Sequence, residues 1–179
     1  MKKRNLTPPI TRVKSAFTLI ELVVVIGVLG ILSAVAADMF INITRSYNKA
    51  NVIAEIEQNG NLAISTMSNE IRSALSVSPT SGTASSIDIV DQDGATVTFS
   101  FISPAGNDNG YVARNGLPII DNERVTGVNV THGMFTIVEA DPSVVGITMT
   151  ITQPKGVPGR IDYQAETTLK TSVSLRSYK

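Results

Sequence analysis

The chain has 179 residues, 42% of them hydrophobic and 17% charged, and its lack of cysteine excludes a disulfide framework, a thiolate metal site and a thiol nucleophile. The formal net charge is zero, but Lys2, Lys3, Arg4, Arg12 and Lys14 place five of the fifteen basic groups ahead of the first acid, Glu21, leaving ten basic against fifteen acidic groups beyond residue 16. Such an acidic body argues against nucleic-acid binding, and its richness in Thr, Ser, Val and Ile favours strands over a large helical core.

Residues 1–16 are basic, contain Pro8-Pro9 and show no periodicity. The positive-inside rule keeps them cytoplasmic and sets an N-in orientation, as for a leader that is read and removed. The 22 residues from Ala16 to Ala37 carry one charge, Glu21. As a helix they would span about 33 Å, roughly a bilayer's hydrocarbon core. A carboxylate at mid-helix costs about 2.5–3.5 kcal/mol on insertion scales, and less near an end. Three readings fit the run. It is a signal peptide with Leu22 to Leu32 as its apolar region and Ala34-Val35-Ala36 as its cleavage site, an uncleaved anchor, or the apolar start of a subunit cut on its cytoplasmic side. Only the third accounts for Glu21.

The segment Ser15-Ala16-Phe17-Thr18-Leu19-Ile20-Glu21-Leu22-Val23-Val24-Val25-Ile26 resembles the processing motif of type IV prepilins and type II secretion pseudopilins. The resemblance implies cleavage between Ala16 and Phe17 by a membrane aspartic prepilin peptidase, and N-methylation of Phe17. It also implies an assembly contact from Glu21 to the Phe17 amine of a neighbouring subunit. Two opposite charges at the bilayer edge attract strongly, and each is costly alone. Leu22, Val25, Ile26, Leu29, Ile31 and Leu32 belong to the membrane helix, and Gly27 and Gly30 are its soft points, each costing about 1 kcal/mol relative to Ala. The chain departs from the family at Ala16, where Gly is usual, and at Asp38, where many pilins carry a helix-bending proline.

From Asp38 the pattern turns amphipathic. Ile53, Ile56, Gly60, Ala63, Met67, Ile71 and Ala74 recur at spacings of three and four, with Ile64 and Leu75 widening the stripe. Gly60-Asn61 marks a local weakness or a close approach. Asn42, Thr44, Ser46, Asn48 and Asn51 are weak helix formers that permit a break before the stripe. Ser78-Pro79 is the expected end of the helix. The expected division is a leader at 1–16, a transmembrane and filament-core helix at 17–40, an amphipathic helix at 41–78, a linker at 79–86 and an antiparallel β domain at 87–179.

Beyond the linker the period falls to two. Residues 87–90 and 95–102 read as a hairpin in which Val97, Phe99 and Phe101 face inward. Residues 111–114 and 117–120 read as a second, turning at Asn115-Gly116 in type I′ geometry, with Pro118 at an edge. Residues 125–130, 134–138, 144–152 and 167–175 complete the strands, the last placing Leu169, Thr171, Val173 and Leu175 on one face. The expected fold is α+β and type IV pilin-like, with a long N-terminal helix packed on one antiparallel sheet in a helix-plus-meander arrangement.

Other candidate chemistry is thin. His132, the one histidine, lies in Thr131-His132-Gly133 and reads as a turn residue, with no nucleophile elbow nearby. Asp91-Gln92-Asp93-Gly94 and Asn107-Asp108-Asn109-Gly110 offer oxygen ligands of the kind calcium takes, but turn chemistry explains both. No catalytic residue, metal or cofactor is expected, and the chain is read as no enzyme. Asn42-Ile43-Thr44 and Asn129-Val130-Thr131 fit glycosylation sequons. Arg160, Lys170, Arg176 and Lys179 gather basic charge near the C-terminus, by default on a solvated face. Gln58 to Ala63, Met67 to Arg72 and Leu169 to Arg176 are similar to the larger minor pilins and pseudopilins, which tilts the reading toward a minor subunit. The implied partners are prepilin peptidase, other pilin or pseudopilin subunits, an inner-membrane assembly platform and the membrane itself. The competing reading is a membrane-anchored or secreted β domain that binds a ligand and never polymerises.

Overall fold

The computed structural model describes residues 17–157 and 163–176. They comprise one helix, α1 (Leu19–Ser73), and the strands β1 (Ser76–Ser78), β2 (Gly82–Ala84), β3 (Ser86–Val90), β4 (Thr96–Ile102), β5 (Tyr111–Arg114), β6 (Leu117–Pro118), β7 (Asn129–Val138), β8 (Val144–Thr152) and β9 (Glu166–Ser174). Two compact units divide between Ile43 and Thr44.

In the first unit every described residue is exposed. The apolar window of α1 has a mean hydropathy of 2.7 and none of it is buried, so by length and composition the helix is able to cross a membrane. Gly27, Gly30 and Asp38 do not interrupt it, nor do the weak helix formers from Asn42 to Asn51.

In the second unit α1 buries Ile56, Gly60, Ala63, Met67 and Ile71, the expected stripe, while Ile53 is half-buried. The helix stops at Ser73, short of Ser78-Pro79. Ser73 Oγ donates back to the carbonyls of Asn69 and Glu70, and Ala74 N–H donates to Ile71 O, tightening the last turn. Leu75 N–H then donates to Val90 O at 2.8 Å, and Ser76–Ser78 pair with β3. Strand pairing captures these residues before the proline is reached. Leu75, expected to widen the stripe, lies past the helix and is 47% exposed.

The strands divide between two antiparallel sheets rather than forming one. The first runs β1-β3-β4-β5-β6 and the second β2-β7-β8-β9. β2 lies within the stretch expected to be a linker, and it pairs with the end of β7, Gly82 opposite Ile137. That partner is more than fifty residues away in sequence, so local composition carries no trace of it. The two expected hairpins form as β3–β4 and β5–β6. Asn115 (φ 51°) and Gly116 (φ 80°) supply the paired positive φ angles of a type I′ turn, and Pro118 sits on the edge strand β6.

Residues 134–138 do not form a strand of their own. Asn129–Val138 is one strand, carrying a bulge between Val130 and His132, and residues 125–128 precede it outside any strand. His132 is therefore a strand residue opposite Thr150, not a turn residue. The strand continues through Gly133 because the Phe101 ring occupies the space a side chain there would fill. That ring packs on Phe135, centroids 4.7 Å apart and tilted by 35°, and so joins the inner faces of the two sheets.

Helix and sheets share this core. A Cβ on Gly60 would collide with Leu169 Cδ1 and lie 2.9 Å from Ile151 Cδ1, so Gly60 marks a close approach of α1 to β8 and β9. At the surface Arg114 Nε donates to both carboxylate oxygens of Glu70, at 2.9 and 3.0 Å, tying α1 to β5. With both side chains partly exposed, such a pair contributes about 0.2–1 kcal/mol.

Candidate functional site

The residues singled out in the sequence meet at the N-terminus of α1. Phe17 and Thr18 precede the helix, which starts at Leu19. Thr18 is its N-cap: Oγ1 accepts from Glu21 N–H at 3.3 Å and the carbonyl accepts from Leu22 N–H at 3.2 Å. Glu21 thus stands third in the helix, the acidic position of a capping box. There its charge also complements the positive end of the helix dipole. The Thr-x-x-Glu spacing of Thr18 and Glu21 is the signal of such a cap in the sequence.

Phe17 is 79% exposed and Glu21 is exposed beside it. Leu22, Val25, Ile26, Leu29, Ile31 and Leu32 follow along α1 and are all exposed. An apolar helix surface this extensive requires lipid or protein around it. Ala16 lies outside the described residues, as does the whole basic segment before it.

The remaining candidates have structural partners. Asp91 Oδ1 accepts from the N–H groups of Asp93 and Ala95, each at 2.9 Å, which is turn chemistry. Asn109 is buried and pins three loop segments. Its Nδ2 donates to Asn122 O at 3.3 Å and Glu123 O at 2.7 Å, and its Oδ1 accepts from Lys155 N–H at 2.8 Å. Nothing in the local sequence distinguishes this asparagine from its neighbours Asn107 and Asp108. Asn129, in the second sequon, is likewise buried, accepting from Gly110 N–H at 2.8 Å. Among the described residues no three His, Cys, Asp or Glu gather as a metal site. Of the C-terminal cations, Lys170 is exposed on β9 and Arg176 follows that strand, while Arg160 and Lys179 lie outside the described residues.

One titratable group stands apart. Glu55, on α1 in the second unit, has its carboxyl raised above the ordinary value of 4.5, first because burial disfavours the charge and second because the Asp121 carboxylate repels it.

Comparison with known proteins gives one result. Searches of curated proteins and of solved structures return no match to the chain. The family model described as the prokaryotic N-terminal methylation motif matches residues 11–37, the stretch that holds the end of the basic N-terminal segment, Phe17, the Thr18 cap, Glu21 and the apolar helix. Together with a long helix that starts in this motif and antiparallel sheets beyond it, the match fits the α+β fold of type IV pilins. The chain carries the signature of type IV prepilins and pseudopilins.

Proposed function

We propose that the protein is a structural subunit, of the minor kind, of a type IV pilus or a type II secretion pseudopilus. The observation that carries this reading is the methylation motif at residues 11–37 with Glu21 as the single charge in the apolar run that follows the leader. Residues 1–16 are the leader. Prepilin peptidase cuts between Ala16 and Phe17, and the new Phe17 amine is methylated. Residues 17–40 hold the chain in the inner membrane, single-pass with the N-terminus cytoplasmic and the β domain outside. On assembly that helix moves from bilayer to filament core.

The chemistry of Glu21 supports the reading. Its carboxylate lies one helical turn from the freed amine, and a chain entering the filament pairs it with the amine of a neighbour. In a low-dielectric setting the pair is favourable only when both charges are present. The subunit is thus a substrate of processing enzymes and a partner of other subunits and of the membrane assembly platform.

Mass spectrometry of the mature protein tests the cut. Methylated Phe17 at the N-terminus is expected. An intact Met1, or a start at Ala37, would instead favour a membrane-anchored or secreted β domain. Replacement Glu21→Ala tests the contact, with incorporation into filaments expected to be lost while membrane insertion is retained. Unchanged incorporation would remove the charge pairing.

A further inference from the structure

The sequence contains three Asn-Gly pairs, Asn59-Gly60, Asn109-Gly110 and Asn115-Gly116. This dipeptide has a chemistry of its own. The glycine nitrogen, unhindered by a neighbouring side chain, attacks the asparagine side-chain carbonyl. The new N–Cγ bond closes a five-membered succinimide, the Cγ–Nδ2 bond breaks, and ammonia leaves. Water then opens the ring at either carbonyl, giving aspartate or isoaspartate. No oxidant or enzyme is needed. What decides the rate in a folded chain is whether the nucleophilic N–H and the amide are free to meet.

Two of the pairs are locked. Asn59-Gly60 lies inside α1, where Gly60 N–H belongs to the helix ladder. The Asn59 amide is also held at both ends, Nδ2 donating to Glu55 O at 3.1 Å and Oδ1 accepting from Asp121 N–H at 3.3 Å. Asn109 is buried with both ends of its amide bonded, and Gly110 N–H, which would be the nucleophile, donates to Asn129 Oδ1. Gly110 is itself enclosed, with Ile102 O and Pro104 Cδ each 2.8 Å from where a Cβ would lie.

The third pair is different. Asn115 and Gly116 form the exposed two-residue turn between β5 and β6, and nothing lies within 4 Å of a Cβ built on Gly116. The Asn115 amide is held at one end only: Oδ1 accepts from Thr98 N–H at 2.8 Å, and among the described residues no bond holds the Nδ2 that has to leave, whereas Asn59 and Asn109 are bonded at both ends. The Thr98 donor polarises the carbonyl under attack and stabilises the negative charge that gathers on its oxygen as the ring closes.

We infer that Asn115 is a site of spontaneous deamidation, and that the fold protects the other two Asn-Gly pairs. The aspartate product keeps an oxygen for Thr98 N–H. The isoaspartate product adds a methylene to the backbone, which breaks the type I′ turn and the Asn115 N–H to Thr98 O bond of 2.8 Å. It does so next to Arg114 and its link to Glu70.

The test is to age the full-length protein in detergent at mildly alkaline pH, with and without denaturant, and to follow the three peptides by mass spectrometry with isoaspartate detection. In the folded protein Asn115 should convert about tenfold or more faster than Asn59 and Asn109, which react only from locally opened states. In denaturant the three rates should converge. Equal rates in the folded protein would overturn the inference, as would a lead for Asn115 that persists undiminished in denaturant. Formation of aspartate with no isoaspartate would also overturn it, because a succinimide yields both.

Discussion

Gly133→Ala probes the join between the two sheets. A Cβ at this position would fall on the Phe101 ring, reaching Cδ1 and Cγ and lying 2.6 Å from Cε1. Carbon atoms rest about 3.5–4.0 Å apart, so the nearest ring atoms have to retreat by roughly 1.5 Å or more. The ring has little room to do so, since Phe101 is 8% exposed and Phe135, on which it packs, is fully buried. Overpacking of this kind costs about 1–3 kcal/mol, and disturbing the aromatic pair forfeits part of about 0.5–1.5 kcal/mol. Alanine recovers about 0.5–1 kcal/mol over glycine in a strand. The net loss is about 2 kcal/mol, which for a chain of this size lowers Tm by about 4–8 °C. Thermal unfolding of the full-length protein in detergent, followed by circular dichroism, reads this directly. The deciding measurement is a double-mutant cycle with Phe101→Ala. With the ring gone, Gly133→Ala should be neutral or slightly stabilising. If it costs the same in both backgrounds, the Phe101 contact is not what requires glycine.

Two further predictions concern the second unit. Asn109→Ala removes three hydrogen bonds and leaves loop groups unsatisfied, which should cost about 2–4 kcal/mol in denaturant unfolding. Asn109→Asp should be no better despite its shape, because it turns a donor into an acceptor facing two carbonyls; a neutral Asn109→Asp would mean that these bonds do not hold the loops. For Glu55→Gln the direction follows from proton binding. The folded state holds the Glu55 proton more tightly than the unfolded chain does, so its contribution to stability is complete below about pH 4.5 and is lost as pH rises through the higher folded value. The glutamine variant should melt slightly higher than the parent at neutral pH, with the difference vanishing in acid. A difference of opposite sign, or one independent of pH, would refute the burial and Asp121 repulsion assigned to this carboxyl.

Much of the architecture was legible because its causes are local. Hydropathy over 22 residues marks the apolar helix, the three-and-four spacing from Ile53 to Ala74 marks its amphipathic continuation, and alternation at Val97, Phe99 and Phe101 marks β4. The Asn115-Gly116 turn was readable because its positive φ angles admit few other residues. The candidate site was readable for the same reason, since the motif from Ser15 to Ile26 is one contiguous run.

What the tertiary structure decided involves partners distant in sequence. The helix ends at Ser73 because Leu75 finds Val90, not because proline stops it. Ser76–Ser78 and Gly82–Ala84 are strands because β3 and β7 lie beside them, in two different sheets. Thr131-His132-Gly133 bears every mark of a turn, yet it stays extended because β8 runs alongside and the Phe101 ring fills the place of the missing side chain. Asn109 is central only because three loops converge on it. The sequence by itself determined the apolar helix, its one acid and the alternating strands, where each residue's own chemistry or its near neighbours suffice. The sheet partition, the end of α1 and the protection of two of the three Asn-Gly pairs were settled only in the folded chain, where hydrogen-bond donors and acceptors far apart in sequence satisfy one another.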